Sequence, residues 1–203
     1  MIVKESGSDF VREEPDAGTY AGRCVRVVDL GTQINDYDKD NPKPQRQVRI
    51  SWEISELMED DKPFVVADSF TLNIGDKANL GKILMSWRGK PFTDEEKAGF
   101  DLSTILGVPG LISVSYGATG WQKIKSVLQL PKGMTVSDQF NDSFLFDIED
   151  IYDEDKLKAL WRLERYAIAK SDEFVESGKV MPEKPKEDGD VPFDDPELNE
   201  TAF

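Results

Sequence analysis

The chain has no histidine and a single cysteine, Cys24. These two absences exclude a structural disulfide and the ordinary Cys/His zinc sites, and they remove the commonest general base. No apolar run is long enough for a signal peptide or a membrane span, so the sequence predicts a soluble, cytoplasmic protein without membrane attachment. A glycine-rich phosphate loop followed by Lys and Ser or Thr is missing too, and without histidine the usual nucleophilic triads cannot be assembled. Carboxylates are abundant, but they cluster in turns instead of recurring at strand ends as a set. A metal-dependent nuclease is therefore a minor alternative, and the expectation is a protein that is not an enzyme and carries no cofactor, metal or catalytic residues.

What is present is acid and ring systems. The 203 residues suit one compact domain plus extensions, and 11 Phe, 4 Trp and 5 Tyr are ample for its core. A net charge of −15 argues at first against nucleic acid, whose phosphates require Lys and Arg. The distribution of that charge weakens the objection. Residues 182–203 hold eight acids and two bases, residues 147–181 hold ten and six, and residues 20–140 hold sixteen and fifteen. The body is nearly neutral and can carry a basic face if its acids lie elsewhere. Asp36, Asp38, Asp40, Glu59, Asp60, Asp61, Asp94, Glu95 and Glu96 do fall in predicted turns and a helix start.

Residues 19–30, TYAGRCVRVVDL, read as a first strand with Gly22 as a bend or bulge point. Residues 33–44 read as a loop. Residues 45–55 alternate, with Val48, Ile50, Trp52 and Ile54 on one face and Gln47, Arg49, Ser51 and Glu53 on the other. After a turn at 58–62, residues 64–72 make a third strand. Leu80, Ile83, Leu84 and Trp87 then fall at helical spacing, with Asp76 as a candidate cap and Gly89 and Pro91 as the stop. Thr93 and Glu96 match a capping box. Residues 111–116 and 121–130 read as two strands joined by the GATG turn. Three strands, a helix and two strands form the order of an OB-fold, a mainly β, five-stranded Greek-key barrel with its helix between the third and fourth strands. An SH3-like barrel or an open α+β sheet fits the same order. Residues 143–148 suggest a short added strand, and residues 155–175 a helix ending at Gly178 whose apolar stripe packs on the barrel or forms a dimer contact. The oligomeric state is left open. The resulting division is an N-terminal arm (1–17), a barrel domain (18–148), a C-terminal helix (149–181) and a disordered acidic tail (182–203).

Single strands are held by a positive groove for the backbone and aromatic faces for the bases. Arg23 and Arg26 lie on the first predicted strand, Arg46 and Arg49 on the second, and Lys123 and Lys125 on the fifth. In an OB barrel, oligonucleotides lie across the second and third strands, between the loops that join strands one to two and four to five. Tyr37 falls in the first of those loops and Trp121 just after the second. Trp121 shares its face with Lys123 and Lys125, not with Ile124 and Leu128, which separates it from core tryptophans such as Trp52 and Trp87. These eight residues are the candidate contacts for single-stranded DNA. Arg49 reads equally as a solvated face residue, and Tyr37 as an aromatic packed on the barrel rim. Residues 190–203, DVPFDDPELNETAF, set Phe193 and Phe203 among carboxylates. Bare phenylalanines in a charged segment cannot build a core and read as hooks for a partner protein; the plainer reading is an acidic C-terminus with no task.

Several phrases taken together, GTYAGRCVRVVDLGTQ at 18–33, RQVRISWEI at 46–54, DKPFVVADSFTL at 61–72, DKANLGKILMSWRGKPFTDEEKAGFDLSTILG at 76–107 and LPKGM at 130–134, resemble a family of bacteriophage-encoded OB-fold single-stranded DNA-binding proteins. SWRGKPFT is the most specific of them. The resemblance implies a protein that coats single-stranded intermediates of phage DNA replication and recombination in the host bacterial cytoplasm. It also implies an acidic, Phe-ended tail that recruits replication or recombination proteins. DVPF followed by DD, and the final Phe203, are similar to such a tail in kind. A rival of another class is an acidic module that mimics nucleic acid and inhibits a host DNA-binding protein. The net charge favours that rival, and the Arg and Lys interleaved along the strands oppose it.

Overall fold

The structure, a computed structural model, describes residues 13–35, 42–118 and 120–183. Tyr37, Phe193 and Phe203, and with them most of the N-terminal arm and of the acidic tail, lie outside the described residues. The described chain is mainly β. One sheet holds β1 (Gly18–Asn35), β2 (Lys43–Leu57), β3 (Pro63–Thr71), β4 (Pro109–Tyr116), β5 (Gln122–Leu128) and a short β6 (Phe144–Phe146). Strand order is β3-β2-β1-β4-β5, with antiparallel neighbours throughout and β6 lying parallel to β1. The sheet curls until its two end strands approach. Side chains join them there: the Asp68 carboxylate accepts from the Ile124 amide at 3.0 Å, and the Gln122 side-chain oxygen accepts from the Ala67 amide at 3.0 Å.

β1 is longer than the sequence suggested and is bulged twice, at Val25 and at Leu30, where the pairing with β2 slips by one residue. Each bulge adds twist and lets one long strand serve two packing layers. Gly22 is not itself a bulge. It is a point of close approach between β1 and β2, where an added Cβ would stand 2.3 Å from the Glu53 carbonyl oxygen. At the second bulge Gly31 takes φ +71°, and its amide donates to Asp29 at 2.9 Å.

Inside the curl, the inward residues of β2 meet Phe64, Val66, Phe70, Ile112, Val114 and Val127. Helix α1 (Asn79–Arg88) caps this core with Leu80, Ile83, Leu84 and Trp87. Trp52 and Trp87 are both core residues, tilted against each other at 6.0 Å, and the Trp87 indole N–H donates to Pro109 at 2.8 Å. The α1 cap departs from expectation. Ala78, with no side-chain bond, occupies the N-cap, and Asp76 pairs instead with Lys97 at 3.1 Å. Gly89, at φ +68°, ends the helix as expected. Thr93 and Glu96 do form a reciprocal capping box on α2 (Asp94–Ala98).

The expected helix over 155–175 is three short ones: α3 (Glu154–Ala159), α4 (Arg162–Lys170) and α5 (Asp172–Glu176). Two local bonds break it. Glu164 turns back to accept from the Trp161 amide at 2.8 Å while it pairs with Arg26, and the Ser171 hydroxyl accepts from the Phe174 amide at 3.3 Å as a new N-cap. The three helices, β6 and a 3-10 turn at Ile148–Tyr152 bury a second core against the outer face of β1, built on Val28, Leu30, Phe146, Leu157, Leu160, Ile168 and Phe174. No helix among the described residues is long and apolar enough to cross a membrane.

Candidate nucleic-acid interface

Tyr37 lies outside the described residues, and the other seven predicted contacts separate into two groups. β2 carries Arg49 on its outer face, opposite Ser69 of β3, and the guanidinium donates to the Ser69 hydroxyl at 3.3 Å. The Ser69 amide donates to Asp68 at 2.9 Å, and the same carboxylate oxygen lies 3.4 Å from the Lys123 ammonium. Arg49, Ser69, Asp68 and Lys123 thus form a polar chain that crosses β3 from β2 to β5. The Lys123 side chain is 62% exposed, so its pairing with Asp68 is weak and open to exchange for another anion.

Trp121 precedes β5, half-buried at the base of the β4–β5 turn, where its carbonyl accepts from the Gly117 amide at 2.9 Å. Lys125 is the extra residue of a bulge: Ile124 pairs with Val114 and Ser126 with Ser113, leaving Lys125 between them. It is exposed. The bulge keeps Lys123 and Lys125 outside while Ile124 and Val127 enter the core. Arg49, Lys123 and Lys125 therefore share the outer surface where β3 and β5 meet, and Trp121 stands immediately before β5.

The other three arginines are engaged elsewhere. Arg26 is a correction to the sequence reading: it is 6% exposed and cannot meet a phosphate. Its guanidinium forms two bonds to Glu164, at 3.1 and 2.6 Å, and one to the Ala159 carbonyl at 3.1 Å. It is also sandwiched between the rings of Phe144 and Trp161, at 4.0 and 4.1 Å. It fastens the C-terminal helices to β1. Arg46 is bonded twice to Asp29 and lies 3.9 Å from an Asp147 oxygen, so its charge is already met by two carboxylates. Arg23, half-buried, donates to the Ser137 carbonyl at 2.8 Å. Beside it Glu53 accepts from the Phe140 and Asn141 amides, each at 2.9 Å. Together they strap residues 137–141 across the outside of β1 and β2.

Two residues of this surface escaped the sequence reading. Asp68 stands at an inward position of β3, in series with Phe64, Val66 and Phe70, and a carboxylate in an apolar register is the signal that marks it. Ser69 gives no signal of its own and is found only through its partner Arg49.

Other ionisable groups reflect structure. Burial, and then hydrogen bonding to Glu56, push the Tyr20 phenol up to about 12, and burial pushes the Cys24 thiol up. Glu173 is held below the ordinary glutamate value: burial opposes this, but the Thr32 amide at 2.7 Å and hydroxyl at 2.8 Å outweigh it. The carboxylate thereby ties α5 to β1.

Set against known protein families and curated protein sequences, the chain finds no match.

Proposed function

We propose that this chain is a phage-type single-stranded DNA-binding protein with an OB barrel, gripping unpaired strands without strong sequence preference. It acts by binding and not by catalysis, in the cytoplasm of a bacterial host during phage DNA replication or recombination. The observation that carries the reading is the convergence of Arg49 from β2 and Lys123 and Lys125 from β5 on one outer surface, with Trp121 at its edge. Cations there meet phosphates and the indole face stacks on a base. The order β3-β2-β1-β4-β5, the approach of β3 to β5 and the placement of α1 between β3 and β4 agree with an OB topology, as does the resemblance over residues 18–134. In the same proposal the acidic tail recruits replication or recombination proteins through Phe203 or Phe193.

Quenching of tryptophan fluorescence by oligo-dT, repeated across salt concentrations, tests the reading. Binding that weakens steeply with salt supports it. An absence of quenching and of any gel shift at low ionic strength would sink it, and would favour the rival that the net charge of −15 keeps alive, an acidic mimic of nucleic acid. Degradation of the oligonucleotide in magnesium would point to a nuclease.

A further inference from the structure

Forty of the 203 residues are Asp or Glu, yet none lies between Asp101 and Asp138, and none between Asp76 and Asp94. These two acid-free stretches supply β4, β5 and α1, and the fold packs α1 along β5. The Ser86 hydroxyl donates to the Val127 carbonyl at 2.7 Å, and Gly89 abuts the Gln129 side chain, whose oxygen would stand 2.9 Å from an added Cβ. Helix and strand therefore run alongside each other, 89 beside 129 and 86 beside 127. One turn back from Ser86 is Lys82, about 6 Å along the helix, and shortly before Val127 on β5 comes Lys125, at the bulge between Ile124 and Ser126. The register runs Lys82 of the helix toward the stretch of β5 that carries Lys125. Both are exposed, and neither has a carboxylate partner among the described residues. In a chain of net −15, two exposed cations on packed elements with no carboxylate partner relieve nothing within the fold.

We infer that the nucleic-acid path continues beyond the surface of Arg49, Trp121 and Lys123, crosses β5 at Lys125, and runs onto the α1–β5 seam, where Lys82 takes a further phosphate of the same strand. The ligand is the phosphodiester backbone of a single-stranded nucleic acid, contacted as charge and not read as sequence. This inference rests on the proposed binding function and extends it by fixing where the strand leaves the groove.

Two lengths of oligo-dT separate the parts of the path: one of about five residues, which the central surface accommodates alone, and one of about twenty-five, which spans both. Anisotropy titrations of the full chain and of Lys82→Gln, each across a salt series, give the readout, with thermal melting confirming that the variant is folded. The expected result is unchanged affinity for the short oligomer. For the long one, the slope of log K against log salt should shrink by about 0.7, roughly a several-fold to tenfold weakening near 50 mM salt. Equal affinity and slope for variant and wild type on both lengths would overturn the extended path while leaving central binding intact. An equal loss on both lengths would overturn it too, because Lys82 would then belong to the central contact. If the wild type binds neither length, the binding function itself fails, and the path with it.

Discussion

Arg26 and Arg49 are the same residue type on adjacent strands, and only their surroundings distinguish them. Arg49 lies on the outer face of β2 within reach of Ser69, whereas Arg26 is enclosed by Glu164, Phe144 and Trp161. Strand phase placed Arg49 correctly because the alternation along β2 is regular. It failed for Arg26, because the element that buries it comes from 138 residues away. Replacing Arg26 by Ala strands the Glu164 carboxylate in a dry site and is expected to cost about 3–5 kcal/mol in urea unfolding, whereas the paired change Arg26→Met with Glu164→Leu should recover most of it. Neither change should alter oligo-dT affinity at a temperature where the protein is folded. Trp121→Ala has the reverse profile: stability near wild type, and oligo-dT binding weakened by about 1–3 kcal/mol, with Trp121→Phe retaining much of it. A W121A variant that binds as tightly as wild type would remove stacking at this position from the mechanism.

At the scale of elements, the strands and α1 were legible because each buries one face and so imprints its own period, two or 3.6, on its residues. The C-terminal helices show what a period conceals. α3, α4 and α5 present Leu157, Ala167, Ile168 and Phe174 to one core, so their apolar spacing reads as continuous although the backbone turns at Leu160–Trp161 and again at Ser171. Those breaks follow from Glu164 bonding back to the Trp161 amide and from Ser171 capping the start of α5. Docking of α5 further depends on an ionised Glu173. Its folded value is lowered, so its contribution is complete above the ordinary glutamate value of about 4.3 and is lost as pH falls below that toward the lowered value. Amide exchange at Thr32 should accordingly speed up in that acidic window, and a Glu173→Gln variant should show weaker protection with no step there. A step that persists in the variant would assign the transition to another group.

Across the whole molecule, charge is sorted by sequence region: the body is close to neutral, and the acid accumulates after residue 146 and above all beyond residue 181. If the tail competes with DNA for the cationic surface, removing residues 184–203, which keeps the Arg165 contact to Pro182, should tighten oligo-dT binding and abolish capture of replication proteins. Phe193→Ala and Phe203→Ala made separately would show which ring docks. Unchanged DNA affinity together with unchanged capture would dismiss both tasks for the tail. Overall charge gave little guidance to the surface itself, because the informative property is where acids are missing, and that the two acid-free stretches pack together appears only once α1 and β5 are seen side by side. Finally, the meeting of β3 with β5 through Asp68 and Gln122 means that the curl is shut by a clasp and not a zipper. A zipper must part rung by rung, but a clasp can spring at one point, so the amides of Ala67 and Ile124 should be the first within β3 and β5 to trade their protons with solvent, and a nucleic-acid strand lying across that joint would hold it closed.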